Sequence, residues 1–151
     1  MNVKNIMTIL VVGFLLTANM SCMKGDTFEE QIDQIKDFMA RKNWKADTIL
    51  SEGVYVVIDE EGSSEKPTIQ STVTVNYKGY YYDEEVFDEG QDLELNLTRV
   101  IKGWQLGIPQ FGKGGKGKLL ITSDKAYGEG NGIGIRPNAM LIFEIEVIDF
   151  K

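Results

Sequence analysis

Between residues 28 and 39 the apolar positions fall four, three and four residues apart, at Phe28, Ile32, Ile35 and Met39. That spacing gathers side chains on one stripe of an α-helix. Asp26 and Thr27 precede the run, and Glu30 stands three positions after Thr27, the sign of a capping box. A helix is therefore expected from Phe28 to Lys42, followed by a connection over Asn43–Thr48. From Ile49 the period changes to two. Val54–Asp59 is a β-branched and aromatic run closed by the turn-rich Glu60-Glu61-Gly62-Ser63-Ser64. In Thr72–Tyr82, Val73, Val75 and Tyr77 alternate with Thr74, Asn76 and Lys78. Leu93, Leu95 and Leu97 alternate with Glu94 and Asn96, and Lys118–Thr122 makes a short apolar strand. Leu141, Phe143, Ile145 and Val147 alternate with Ile142, Glu144 and Glu146, as a half-buried antiparallel strand would. A short helix fits Lys102–Gln110, stopped near Pro109.

Strands around a single short helix predict an α+β domain: an antiparallel sheet wrapped on one helix, preceded by the amphipathic helix at the N-terminus. The chain has 151 residues, 42% of them hydrophobic, enough for one domain with a sizeable core.

The first residues read differently. After Lys4 comes Ile6–Leu16, an apolar run too short to span a bilayer but the right length for the middle of a secretory signal. Residues 1–21 are thus expected to be a leader, residues 22–48 a helix and linker, and residues 49–151 the folded domain. Cys22 is the only cysteine, so it has no intramolecular disulfide partner. The small residue Ser21 followed by this lone Cys resembles the processing site of bacterial lipoproteins, which implies lipidation of Cys22 and a place at the bacterial cell envelope, facing the periplasm or the exterior. Plain leader cleavage with a free thiol is the alternative. The net charge of −7, one unit more negative without Lys4, argues against nucleic acid or anionic lipid as partners. The chain has no histidine, which removes Ser-His, Cys-His and zinc-His chemistry.

The stretch GKGGKGKL at 112–119 holds the spacing of a phosphate-binding loop. Such a loop opens a helix and needs Ser or Thr after its lysine. Here Leu119 follows Lys118 and a strand follows both, so the glycines are read as a tight connection with Lys113 and Lys116 solvated. YGEGNGIGIRP at 127–137 has glycine at every second place and no dinucleotide spacing; it reads as a long loop between strands. Asp83-Glu84-Glu85 has no calcium-loop spacing and is expected to be a solvated turn. Neither metal nor cofactor is expected.

Six segments, in order and at matching spacing, then carry a resemblance: VNYKG at 75–79, VFDEG at 86–90, VIKGW at 100–104, GGKGKLLI at 114–121, AYG at 126–128 and RPNAMLIFEIEVIDF at 136–150. Together they resemble FKBP-type peptidyl-prolyl cis–trans isomerases, over about Gly53–Lys151. The resemblance implies a curved antiparallel sheet cupping one short helix, and an apolar pocket between them that receives a prolyl ring. It implies Trp104 as the floor and Tyr77, Phe87 and Phe143 as walls. Val100, Ile101, Leu93 and Ile135 would line the sides, with the Ile101 N–H donating to a substrate carbonyl. Tyr127 would offer its hydroxyl and Asp88 a carboxylate at the rim. Leu93 stands where the family usually has an aromatic residue, and the segment between Asp88 and Leu93 is short.

The implied partners are proline-containing polypeptides, with macrolides as inhibitors of the same pocket. The implied chemistry needs no nucleophile, because the obstacle is a resonance barrier of roughly 18–20 kcal/mol about the amide bond. A catalytically weak module that binds peptides as a chaperone or adaptor is the competing reading, since the same pocket serves both. For the N-terminal helix, packing on the domain, a tether to the membrane and a homodimer contact all remain open.

Overall fold

The computed structural model describes residues 26–130 and 134–151. The expected leader and Cys22 lie outside the described residues. Helix α1 spans Phe28–Lys42. The Thr27 hydroxyl accepts from the Glu30 N–H at 3.3 Å, and the Glu30 carboxylate accepts from the Thr27 N–H at 2.7 Å, so the capping box forms as its residues require. Asn43 ends the helix in the left-handed conformation, φ 55°, a role open to Asn as well as Gly.

Six strands follow: β1 Thr48–Leu50, β2 Val54–Glu60, β3 Thr72–Tyr80, β4 Val86–Asn96, β5 Lys116–Ile121 and β6 Leu141–Phe150. Helix α2, Lys102–Gly107, lies between β4 and β5 and runs on into a 3-10 turn at Ile108–Gln110. The tightening coincides with Pro109, whose missing N–H cannot continue an α-helix. The strands form one antiparallel sheet in the order β1-β2-β5-β6-β3-β4. Register shifts in the β2–β5, β3–β4 and β3–β6 pairs add the local bends that curve a sheet.

The two faces of the sheet have different fates. One face, with Val54, Val56, Val73, Val75, Leu119, Ile121, Phe143 and Ile145, closes on Trp104 and Ile108 of the α2 segment. On the other face Tyr55, Val57, Tyr80, Leu120 and Ile142 close on Ile35 and Phe38 of α1. This second layer explains why β2 is apolar on both sides, and why Ile142 is buried although it falls on the side of Glu144 and Glu146. Helix α1 covers the Ile142 end of that face and leaves Glu144 exposed and Glu146 half-buried.

Three expectations change in detail. The buried line of α1 is Gln31, Ile35 and Phe38, whereas Phe28 is 38% exposed. Hydrophobic spacing alone misses this line because its first member is a glutamine satisfied by tertiary hydrogen bonds. Of the strand read at Leu93–Leu97, residues 93–96 are the end of the longer β4 and Leu97 opens a 3-10 turn; the first half of β4 has no apolar alternation because it is an exposed edge with bulges. The connection after α1 ends one residue sooner, at β1.

Candidate functional site

The short helix can lie close to the sheet because of two glycines. A Cβ at Gly103 would stand 2.4 Å from the Ile121 side chain, and one at Gly107 would stand 2.5 Å from Leu119. This seats Trp104 against the inner face of the sheet, 5% exposed. Tyr77 from β3 and Phe143 from β6 meet its indole edge-on, each with ring centroids 5.2 Å away. Phe87 from β4 meets Phe143 at 5.6 Å, again nearly perpendicular. Such T-shaped pairs match the positive edge of one ring to the negative face of the next. Gly79 leaves the space that the Phe87 and Phe143 rings share, since a Cβ there would be 2.6 Å from one and 2.9 Å from the other.

These rings wall a cavity of about 240 Å³. Tyr77, Phe87, Asp88, Leu93, Val100, Ile101, Trp104, Tyr127 and Phe143 all line it, so the structure brings together nine of the ten positions singled out from sequence. Ile135 is half-buried in the neighbouring loop and does not line the hollow. Two lining residues went unread, Leu95 and Arg99. Leu95 was legible as the next inward position after Leu93. Arg99 ends the 3-10 turn Leu97–Arg99 that follows β4 and had no signal beyond its place beside Val100. Larger hollows lie elsewhere. One, of about 620 Å³, is walled mainly by side chains such as Lys78, Glu89, Lys116 and Glu146.

Tyr77, Asp88, Arg99 and Tyr127 bring polar groups to the cavity. The Tyr77 hydroxyl donates to Asp88 Oδ2 at 2.7 Å. Burial pushes the Tyr77 phenol well above its ordinary range, and the bond to Asp88 adds to this. Burial, then the Asp88 charge, also raises Tyr127. Both phenols therefore stay protonated and can donate. Trp104 Nε1 is buried without a hydrogen-bond partner among the described residues. Ile101 caps α2, and its carbonyl accepts from the Trp104 and Gln105 amides at 3.0 and 3.2 Å. Its own N–H has no partner among the described residues. Gln105 Nε2 donates to the Val100 carbonyl at 2.9 Å and holds this edge in place. Among the described residues no three His, Cys, Asp or Glu side chains are grouped to hold a metal ion.

The acidic turn after β3 is tied down. Arg136 donates to Asp83 at 2.7 Å and to Glu85 at 2.6 Å, and Lys42 of α1 pairs with Glu84 at 2.7 Å. The Arg136 guanidinium also lies 4.1 Å over the Tyr81 ring, which in turn meets Phe87 at 5.0 Å. The turn read as a solvated acidic face thus fastens the loop before β6 behind one wall of the cavity.

Comparison with known proteins gives a consistent result. The model of the FKBP-type peptidyl-prolyl cis–trans isomerase family matches residues 63–148. The FKBP-type isomerase FkpA of Escherichia coli is 41% identical over 105 residues, 67% of this chain and 39% of that protein. FK506-binding protein 1 of Dictyostelium discoideum is 39% identical over 106 residues, 66% of this chain and 99% of that protein. The crystal structure of FkpA from Escherichia coli superposes with a TM-score of 0.71 at 35% identity, covering 82% of this chain and 60% of that one. The chain spans about two fifths of the length of the FkpA sequence it matches.

Proposed function

The chain belongs to the FKBP-type peptidyl-prolyl cis–trans isomerase family, and on that premise we propose that it accelerates X–Pro isomerisation in exported polypeptides by seating the prolyl ring in the Trp104 cavity. The observation that carries this reading is the convergence of the aromatic side chains Tyr77, Phe87, Trp104, Tyr127 and Phe143 on one small hollow. Water favours the polar resonance form that makes the amide C–N bond partly double. An X–Pro bond moved among aromatic rings loses that support, and a hollow that fits the twisted amide better than either planar isomer lowers the barrier. The Ile101 N–H would donate to a substrate carbonyl, and the Tyr127 hydroxyl would donate to a second one. Asp88, holding Tyr77, would fix that wall. Macrolide inhibitors would compete for the same hollow.

Export and lipidation at Cys22 complete the proposal. They rest on the apolar run Ile6–Leu16 and on the lone cysteine after Ser21, and they place the domain at the bacterial envelope. No helix among the described residues is long and apolar enough to cross a membrane. A homodimer through α1 would have to form without Ile35 and Phe38, which the chain's own sheet covers, and Phe28 is the most exposed large apolar residue of the helix.

The test is exchange NMR of an Ala–Pro peptide with a small fraction of the protein. Cis–trans exchange peaks together with a shifted Ile101 amide are the expected result. A shifted Ile101 amide without exchange peaks would make the protein a peptide-binding module instead.

A further inference from the structure

Helix α1 stands outside the part of the chain that the family model matches, yet it reaches toward the cavity. Gln31, on its buried line, is 2% exposed. Its Nε2 donates to Ser123 Oγ at 3.0 Å and to the Asp26 carbonyl at 2.9 Å, and its Oε1 accepts from the Ser123 N–H at 2.6 Å. Both amide hydrogens and the carbonyl oxygen are used, and the two bonds to Ser123 grip that residue at backbone and side chain.

Ser123 opens the 3-10 turn Ser123–Lys125 that follows β5. Its carbonyl accepts from the Ala126 N–H at 3.0 Å and from the Gly128 N–H at 2.8 Å. These are the residues on either side of Tyr127, which lines the cavity. One carbonyl therefore fixes both flanks of the tyrosine, and one glutamine fixes the residue that carries it. Gly128 takes φ +56°, a left-handed conformation that glycine adopts without steric cost. On the far side the Gly128 carbonyl accepts from the Asn138 N–H at 2.6 Å, so the span is braced there as well, but among the described residues only Gln31 ties it to α1 by hydrogen bonds.

We infer that Gln31 is a positioning residue: through Ser123 it sets the place of Tyr127, and so couples the N-terminal helix to turnover. The inference rests on the isomerase reading of the cavity. A wandering Tyr127 hydroxyl would support the twisted amide less well, and a displacement of about 1 Å in such a group can cost up to about a hundredfold.

The test is a double-mutant cycle between Gln31→Met, which keeps the volume and removes the three bonds, and Tyr127→Ala. In the parent protein Gln31→Met is expected to lower kcat/KM roughly as far as Tyr127→Ala does, within the limit set by positioning. In the Tyr127→Ala background it is expected to change nothing further. Equal losses in both backgrounds would overturn the inference, because a general loosening of the fold would act whether or not Tyr127 is present. Amide exchange supplies a second readout: Ala126 and Gly128 should exchange faster in Gln31→Met, and unchanged protection at both would also overturn it. If Gln31→Met does not fold, Ser123→Ala removes one bond of the same grip and enters the same cycle. A wild-type protein that binds Pro peptides without accelerating them would remove the isomerase reading alone. The cycle is then run on peptide affinity, with the same two outcomes.

Discussion

Tyr77 shows how single side chains carry the account. Its ring meets Trp104, while its hydroxyl holds Asp88 at 2.7 Å. Tyr77→Phe keeps the ring and removes only the hydroxyl, so peptide binding should stay within about a factor of two while stability falls by about 0.5–1.5 kcal/mol, the usual worth of one such bond. A urea titration beside a peptide titration checks this, and a large loss of binding at unchanged stability would assign the hydroxyl to the substrate instead. The aromatic residues were legible because each sits in a segment with a recognisable neighbourhood, such as VIKGW around Trp104. Gln31 was not. A polar residue at a buried helical position contradicts the pattern that periodicity reads, and only its partners 92 residues away make sense of it. Arg99 escaped for a related reason, since a solvent-exposed arginine has no sequence signature of the cavity it borders.

Among elements, the placing of α2 decides whether a cavity exists. Glycine at 103 and 107 lets the helix approach β5 closely enough to bury Trp104, and both positions were visible in the sequence without their purpose being so. Gly103→Ala sets a methyl group 2.4 Å from Ile121 and should destabilise by about 1–3 kcal/mol, as overpacking does. It should also lower activity, because the helix must lift. Denaturation midpoints and peptide turnover measure the two effects, and an unchanged midpoint would show that the helix seat is slack. The periodic elements, α1, β3, β5 and β6, were readable close to their ends. The first half of β4 was not, because bulges break its register against β3 and Asp92 turns to φ 50°. A strand whose alternation is interrupted in this way looks like a loop until its partner is known. The tie between α1 and the sheet was open for the same cause: periodicity gives an apolar stripe but not what covers it.

At the scale of the molecule, charge and titration bound the conditions under which the fold operates. Tyr77 and Tyr80 are both held above their ordinary values, first by burial and then by Asp88 and Glu144 respectively. A group bound more tightly to its proton in the folded chain stabilises fully below its unfolded pKa, about 10 for tyrosine, and that contribution is lost as the pH rises through the folded value. Hydrogen bonds from Arg136, Asn76 and Lys113 hold Asp83, Glu146 and Asp149 below theirs. Their contribution is present above the unfolded value of about 4 and is lost as the pH falls through the folded one; it is small, since all three lie at the surface. With no histidine in the chain, the denaturation midpoint should be level from about pH 6 to 9 and fall above about 10. A step between pH 6 and 8 would contradict this.

The central claim is that the Trp104 cavity turns over X–Pro bonds, and one comparison tests it most directly. The cis-to-trans rate of an X–Pro peptide is measured with the wild-type protein, with Trp104→Leu, and with Leu120→Ala. Leu120 is as deeply buried as Trp104 but faces α1, so its loss controls for stability. The account predicts acceleration by the wild type, a loss of roughly tenfold or more in Trp104→Leu, equivalent to about 1.4 kcal/mol of barrier, and near-normal rates in folded Leu120→Ala. Equal rates in the two variants, or no acceleration by the folded wild-type protein, would contradict it.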